Sequence, residues 1–306
     1  MTLNALSIDV EDYFQVNAFA RLIRTDQWDG YPLRVDSNTR RILDMLDEFG
    51  ITATFFVLGW VAERLPALIK EIHARGHEIA CHGYGHELIY NIGPDAFRTD
   101  IRRAKLLLED QVGSQVRGYR APSYSITGKS MWALDILIEE GFCYDSSIFP
   151  VYHDTYGVPD APRFPHRIFR PSGGITEFPL STYPLHVGGK EYRLPIAGGG
   201  YLRLLPCELI RRGIVSINVK EHQPAVLYFH PWEIDPGQPR IKAGLKSRFR
   251  HYLNLEKTES KLRHLMGGLQ FGTMAQVLAL SEADLPAAAS DAPGVRGTVA
   301  VDGEVR

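Results

Sequence analysis

Short apolar runs alternate with amphipathic stretches through the first half of the chain, and this alternation limits the folds open to it. The runs have the length of buried strands, and the stretches between them place their apolar residues on one side of a helix. The predicted strands cover residues 3–10, 53–58, 77–81, 116–120 and 142–144. The predicted helices cover residues 36–49, a helical region up to 75, 96–111 and 129–140. Such alternation is typical of a parallel α/β barrel or a doubly wound sheet.

The second half of the chain has a different character. Residues 149–200 are rich in proline, glycine and aromatic residues, which predicts extended segments and loops, with a flexible turn at 197–200. Residues 240–255 are basic and aromatic and predict a solvated surface segment, with an anionic-ligand patch as the alternative. The composition of 283–306 predicts disorder. The further predicted elements are a strand over 176–179, a helix over 207–218, a strand over 225–229 and a short helix from 273 to about 280.

Charge and cysteine content narrow the expected partners and compartment. The net charge of the 306 residues is −2, which gives no reason to expect nucleic acid or an anionic membrane as the main partner. Three widely spaced cysteines predict no disulfide framework and favour a reducing compartment. The first ten residues lack the features of a signal peptide, and no apolar run reaches the roughly 18 residues of a transmembrane helix. We therefore expect a cytoplasmic protein.

Polar residues gather where the predicted strands end, which is where parallel sheets place their sites. They are Asp9, Glu11, Asp12, His82, His86, Arg120, Asp145 and His230. Two histidines and one carboxylate make a metal site with open positions. A second carboxylate and a later histidine can then serve as general base and general acid. This set of residues suits metal-assisted hydrolysis of an acyl bond.

The two histidines of this set, His82 and His86, are four residues apart, with Gly83 and Gly85 between them. The glycines favour a loop that bends around an ion over a regular helix. Imidazole is the commonest side-chain ligand of a borderline divalent metal. Taken alone, the pair is equally compatible with two ordinary loop histidines.

Four short motifs strengthen the metal interpretation. Leu-Ser-Ile-Asp at 6–9, His-Gly-Tyr-Gly-His at 82–86, Arg-Ala-Pro at 120–122 and Tyr-Phe-His at 228–230 follow one another in this order. Together they resemble the motifs of polysaccharide deacetylases of the NodB homology family of carbohydrate esterases. The resemblance implies a distorted parallel (β/α) barrel that removes acetyl groups from polysaccharides with a divalent metal, zinc first and cobalt, nickel or manganese as alternatives.

Three further stretches resemble one branch of this family, found beside exosortase and exopolysaccharide gene clusters. They are Asp-Val-Glu-Asp-Tyr-Phe, Asp-Ser-Ser-Ile-Phe-Pro and His-Pro-Trp-Glu. That branch carries an additional C-terminal region. On this resemblance, residues 1–150 form the core of the barrel, residues 151–282 complete it and add the C-terminal region, and residues 283–306 form a disordered tail.

The resemblance also implies roles for individual residues. Asp9 is expected to be the catalytic base and Arg120 to orient it. His82 and His86 are the expected metal ligands, and His230 is the expected general acid.

The metal carboxylate is less clearly assigned, because most members have two adjacent aspartates in the first motif. Here Val10 follows Asp9, so that Glu11 or Asp12 must supply the ligand. We favour Glu11, since a continuing strand returns it to the side of Asp9. The unused acid is then expected behind the site or on the surface.

Candidate substrate contacts follow from the remaining motif positions. The family usually has an aromatic residue where this chain has Ser123, whose backbone N–H is still expected to stabilise the oxyanion. Asp145 is a candidate partner for His230, with a helix-cap or turn role as the alternative. Tyr124 and Trp232 are candidates for lining the sugar groove, with core packing as the alternative.

The expected substrate is an acetylated amino-sugar polymer or oligosaccharide, N-acetyl before O-acetyl. A cytoplasmic site favours a lipid-linked chain in exopolysaccharide or cell-envelope biosynthesis. Two rival hypotheses are a catalytically inactive barrel that binds glycans and a hydrolase of a non-sugar C–N amide bond. The sequence predicts no oligomeric state.

Overall fold

A parallel sheet forms the centre of the computed structural model, which describes residues 2–280 apart from residue 154. The strands are β1 (Leu3–Val10), β2 (Thr54–Val57), β3 (Glu78–Cys81), β4 (Gly118–Tyr119), β5 (Tyr144–Asp145), β6 (His166–Arg170), β7 (Gly173–Glu177), β8 (Thr182–Val187), β9 (Lys190–Pro195), β10 (Val226–Phe229) and β11 (Gln270–Gly272). The helices are α1 (Val35–Phe49), α2 (Gly59–Arg64), α3 (Pro66–Ala74), α4 (Ile89–Val112), α5 (Ala133–Glu139), α6 (Gly199–Leu204), α7 (Cys207–Lys220), α8 (Leu245–Tyr252), α9 (Leu255–Gly268) and α10 (Met274–Val277).

The order of strands across the main sheet is β10-β1-β2-β3-β4-β5-β7-β6, and β11 adds to β1. Neighbouring strands are parallel except β6, which pairs antiparallel with β7. β8 and β9 form a separate antiparallel hairpin. The carboxyl ends of β1, β3, β4, β5 and β10 therefore point the same way, as the alternating pattern predicts.

The sheet is strongly curved. In a flat sheet, β4 would lie about 14 Å from β1, because β2 and β3 stand between them. Nevertheless, the guanidinium of Arg120, directly after β4, contacts two side chains of β1, Ser7 at 2.8 Å and Asp9 at 2.6 Å. The predicted distorted parallel α/β barrel is thus confirmed.

Helix α1 shows how the end of β1 is tied to the next layer. The N-cap residue of α1, Arg34, makes no side-chain cap hydrogen bond. Instead, Asp12 accepts hydrogen bonds from the backbone N–H groups of Arg34 (2.7 Å) and Val35 (2.9 Å). A carboxylate from another segment thus satisfies the free donors and the positive end of the helix dipole.

The expected flexible turn at 197–200 is wrong, because α6 begins at Gly199. The glycines serve a close approach to β10. Gly198 has a φ of 149° and forms a parallel bridge with Tyr228. A Cβ atom on Gly198 would lie 1.8 Å from the carbonyl oxygen of Tyr228. Because glycine is a poor helix former, the three glycines at 198–200 favoured the prediction of a turn. In the structure, close packing against β10 determines the conformation instead.

Most predicted elements occur at the expected places, with β4 and β5 shorter than predicted, at two residues each. The prediction missed β6, the β8–β9 hairpin, β11, α8 and α9. The buried residues of α9 include Leu255, Leu262, Leu265 and Met266. These positions recur at helical spacing, so the signal for α9 was present in the sequence. The predicted disorder of 283–306 lies outside the described residues.

Residues 240–255, predicted as a solvated surface segment, contain a helix, α8, that is largely exposed over 245–250 but buries His251. Among the residues that the structure describes, no helix combines the length and apolar character needed to cross a membrane.

Candidate active site

A pocket of about 190 Å³ lies at the carboxyl ends of β1, β3, β4 and β10. Eight of the predicted site residues line it: Asp9, Glu11, His82, His86, Ser123, Tyr124, His230 and Trp232. The other lining residues were not predicted: Val16, Asn17, Ala18, Tyr156 and Tyr228. Three predicted site residues, Asp12, Arg120 and Asp145, lie outside the pocket lining.

Glu11, His82 and His86 offer one ligand atom each, and these atoms lie within 4.8 Å of one another. His86 Nε2 is 2.7 Å from a carboxylate oxygen of Glu11. His82 Nδ1 is 2.7 Å from the carbonyl oxygen of Arg120, an acceptor, so that Nδ1 carries the proton and Nε2 keeps its lone pair. Burial lowers the pKa of His82 to about 4, which keeps the ring neutral at neutral pH. Two imidazoles and a carboxylate in this state fit a borderline divalent metal.

Glu11 reaches this group through a turn rather than a continuing strand. Its N–H donates to the carbonyl oxygen of Asp9 (3.0 Å), one residue beyond the end of β1. The indole N–H of Trp232 donates to its carboxylate at 3.2 Å. Burial raises the pKa of Glu11, but His86 and His230 outweigh it and lower the value to about 2. The carboxylate is therefore held ionised.

Asp12, the alternative carboxylate, is not part of the cluster. Besides the amides of α1, its carboxylate accepts the N–H of Tyr13 at 2.9 Å. These three backbone donors occupy its oxygens behind the pocket. The structure thus brings Glu11, and not Asp12, to the two histidines.

The loop that carries the histidines is fixed by a residue that the sequence did not reveal. Asp100 of α4 accepts the backbone N–H groups of Tyr84 (2.8 Å) and Gly85 (3.1 Å). A Cβ atom on Gly83, whose φ is 73°, would lie 2.7 Å from the Asp100 carboxylate. Helix α4 follows the loop in sequence, but nothing in its periodicity distinguishes Asp100 from a solvated acid.

Arg120 and Asp9 form a buried ion pair at 2.6 Å. The guanidinium is fully buried and also donates to Ser7 and to the carbonyl and hydroxyl oxygens of Ser146 (3.1 and 3.0 Å). Its face covers the ring of Phe56 at 4.1 Å. Asp9 is thus held in one place by a group whose own position is fixed on several sides.

His230 has a different partner from the one considered from the sequence. Its Nδ1 lies 2.5 Å from the carboxylate of Glu233, which also accepts from Arg203 Nε at 2.6 Å. Its Nε2 lies 3.5 Å from Glu11 and 3.9 Å from Asp9. Burial lowers the pKa of His230, but Glu11 and Glu233 outweigh it and raise the value to about 9.

Trp232 lines the pocket and also supports it. Its ring stacks between His230, at 5.2 Å, and His251 of α8, at 4.1 Å. Through these contacts and its hydrogen bond to Glu11, Trp232 holds two side chains in place: Glu11, a candidate metal ligand, and His230, a candidate proton donor.

Ser123 and Tyr124 follow β4 with positive φ values of 51° and 55°. Such values are uncommon outside glycine and cluster at functional sites. The Tyr124 ring packs edge-on against Tyr228 at 5.2 Å and Tyr156 at 6.1 Å. Three tyrosines therefore form an aromatic wall of the pocket.

Asp145 lies behind the pocket, where it forms a buried pair with Glu177 and does not reach His230. Its Oδ1 accepts from Ser147 Oγ at 2.5 Å, whereas its Oδ2 and Oε2 of Glu177 are buried without a hydrogen-bond partner among the described residues. Glu177 also accepts the N–H of Ile148 at 2.9 Å. Burial raises the pKa of Asp145 to about 6 and, with the charge of Asp145, raises that of Glu177 well above its usual range. A proton shared by the two carboxyl groups gives both of them a hydrogen bond.

Two family models match the chain. Residues 27–136 match the model described as Polysaccharide deacetylase, and residues 146–279 match the model described as Domain of unknown function (DUF3473). Residues 27–136 therefore match a polysaccharide deacetylase domain, and the resemblance inferred from the motifs is confirmed over that part of the chain. The exosortase-associated branch stays a prediction.

Similar proteins cover parts of this chain. A peptidoglycan-N-acetylglucosamine deacetylase of Bacillus cereus is 33% identical over 98 residues, 32% of this chain and 36% of its own length. A chitooligosaccharide deacetylase of Sinorhizobium fredii is 36% identical over 104 residues, 32% of this chain and 44% of its own length. The matched stretches thus span less than half of these relatives.

A solved structure resembles most of the chain. The crystal structure of a candidate polysaccharide deacetylase from Mycobacterium smegmatis superposes with a TM-score of 0.61 at 23% identity. The match covers 91% of this chain and 89% of that one, which supports the fold over both matched regions.

Substitution of Glu177 by glutamine tests the carboxyl pair. An acid with a raised folded pKa stabilises the fold fully below its unfolded pKa of about 4 and loses that contribution as the pH rises through the folded value. We expect the wild type to lose about 1–3 kcal/mol of unfolding free energy between acidic pH and pH 8 through this pair, and Glu177→Gln to lose less. Urea denaturation across this range measures both, and parallel pH profiles would contradict the shared proton.

Proposed function

We propose that this protein is a metal-dependent deacetylase of an acetylated amino-sugar polymer or oligosaccharide. The observation that carries the proposal is the convergence, in one pocket, of the Glu11–His82–His86 cluster with an aspartate held by a buried arginine. The names of the similar proteins support N-acetylglucosamine polymers as the substrate class and N-acetyl before O-acetyl groups.

The cluster fits a divalent cation, which would supply Lewis-acid activation of the acetyl carbonyl and of a water. Zinc is our first choice, with cobalt, nickel or manganese as alternatives. Glu11, His82 and His86 would hold it. The ionised carboxylate and the neutral His82 provide the lone pairs that such binding needs.

Asp9 is positioned to take the proton of the attacking water. The ion pair with Arg120 holds the carboxylate in place and prevents it from rotating away. The N–H of Ser123, at the pocket wall, is proposed to donate to the oxyanion.

His230 faces Asp9 and Glu11 across the pocket and is proposed to protonate the leaving nitrogen. An amine leaving group requires this proton, because an amide anion is a very poor leaving group. Glu233 fixes the orientation of the ring through Nδ1, so that Nε2 points into the pocket.

The tyrosine wall is proposed to pack against the sugar. A location in the cytoplasm, a lipid-linked substrate and a place in exopolysaccharide or cell-envelope biosynthesis remain parts of the proposal that rest on the sequence resemblance alone.

Metal content tests the first part of the proposal. Elemental analysis should find about one divalent ion per purified wild-type chain, because three ligands form the site. Glu11→Gln and His82→Ala should lose it. Asp12→Asn is the matched control for Glu11→Gln and should keep the metal, since Asp12 contacts only backbone amides. Retention in Glu11→Gln with loss in Asp12→Asn would reverse the ligand assignment.

Acetate release from N-acetylated chitooligosaccharides tests the reaction. Asp9→Asn should keep the fold and the metal and lower kcat by roughly 100- to 10,000-fold, because the neutral amide cannot take the proton of the water. Asp135→Asn breaks another Asp–Arg pair, with Arg170, outside the pocket and should keep full activity.

Two results would change the conclusion. A metal-free wild type that binds oligosaccharides without turnover would favour the inactive glycan-binding barrel. Metal binding with hydrolysis of simple amides but not of amino sugars would favour the non-sugar amide hydrolase.

The Glu233 carboxylate gives a separate prediction. Glu233→Gln should lower kcat roughly 100-fold with little change in KM or metal content, because His230 loses its charged orienting partner. Asp235→Asn is the control: this neighbouring buried acid pairs with Arg34 at 2.8 Å and does not contact His230. Equal kcat losses in the two variants would indicate a general loss of stability instead of a role at His230.

A further inference from the structure

Helix α8 presents a cationic and apolar surface that the proposed reaction does not use. Residues 236–255 contain five lysines and arginines and no acid, in a chain whose net charge is −2. All five cations are exposed: Arg240, Lys242, Lys246, Arg248 and Arg250. Among the described residues, none of them forms a salt bridge, although Arg240 stacks on Tyr252. The small net charge of the whole chain therefore does not reveal this local concentration of positive charge.

Two large apolar side chains stand among these cations. Leu245 is 83% exposed and Phe249 is 62% exposed. They are four residues apart on α8 and therefore share one face of the helix. Exposing both to water has a free-energy cost that burial against an apolar phase removes.

The helix lies next to the pocket. His251, near its end, stacks on the pocket residue Trp232 at 4.1 Å. His251 also packs on Phe19 at 4.8 Å, and the two residues before Phe19, Asn17 and Ala18, line the pocket. A surface that contacts α8 would thus lie beside the opening through which a substrate enters.

We infer that α8 docks on an anionic lipid surface. Lysine and arginine side chains suit lipid phosphate groups, and an exposed Leu–Phe pair suits the boundary between headgroups and acyl chains. A soluble anionic glycan would be attracted by the cations but would leave both apolar side chains in water, and a second copy of this chain would bring like charges together. The inference goes beyond the proposed function and does not depend on it.

The test is co-sedimentation of the full chain with vesicles. Wild type should pellet with an equimolar mixture of phosphatidylcholine and phosphatidylglycerol and not with phosphatidylcholine alone. High salt should weaken the binding, since it screens surface charges. Equal binding to both vesicle types, or none to either, would overturn the inference.

Two variants separate the charge from the apolar contribution. Lys246→Gln/Arg248→Gln/Arg250→Gln should lower the partition coefficient roughly 100-fold, at about fivefold for each cation. Leu245→Ser/Phe249→Ser should lower it about tenfold or more. Because the five side chains substituted in these two variants are exposed, the midpoints of unfolding should stay unchanged.

Matched controls come from other helices and loops. Leu106→Ser and Val219→Ser remove apolar side chains of comparable exposure, 60% and 65%. Lys70→Gln/Lys129→Gln/Lys220→Gln removes three exposed cations elsewhere. The controls should bind vesicles as wild type does. If the α8 variants also bind as wild type does, or if the chain binds a soluble polyuronate but no vesicle, α8 is not a lipid-docking surface.

Discussion

The buried ion pair between Arg120 and Asp9 is the contact on which the site depends. It joins the end of β4 to the end of β1 across two intervening strands. The Asp9 carboxylate can therefore reach Arg120 only because the sheet is curved. A buried guanidinium left without an acceptor costs several kcal/mol, so Arg120 requires a side chain at position 9 that accepts its hydrogen bond. The backbone carbonyl of Arg120 also receives the N–H of His82. One residue therefore orients both a carboxylate and a histidine.

Both regions matched by family models contribute to this pocket. The deacetylase region, 27–136, supplies the two histidines and Arg120. The region of unknown function, 146–279, supplies His230 and the Glu233–Arg203 pair that holds it. Asp9 and Glu11 precede both regions in the sequence. The second region is thus a structural part of the pocket, and its boundaries do not separate it from the first.

The parallel barrel and most of the pocket could be predicted from the sequence, because chemistry-bearing residues directly follow apolar runs. The partners of those residues could not. Asp100 contacts its loop from a helix whose polar face looks like any solvated surface. Glu233 lies three residues after His230, within the quoted His-Pro-Trp-Glu stretch, but only the short helix Pro231–Ile234 shows that its carboxylate folds back onto the ring. Asp145 lies at the carboxyl end of a strand, where parallel sheets place their sites, but its side chain pairs with Glu177 and does not line the pocket.

The position of β1 has a consequence for how the chain reaches its folded state. This strand pairs with β2, about 50 residues later, but also with β10 and β11, which lie more than 200 residues further along the chain. During synthesis β1 and β2 emerge early, while His230 and its neighbours emerge near the end. Closing so long a segment is entropically costly and slows folding. The pocket therefore cannot be complete on a nascent chain, and its assembly is a late step of folding.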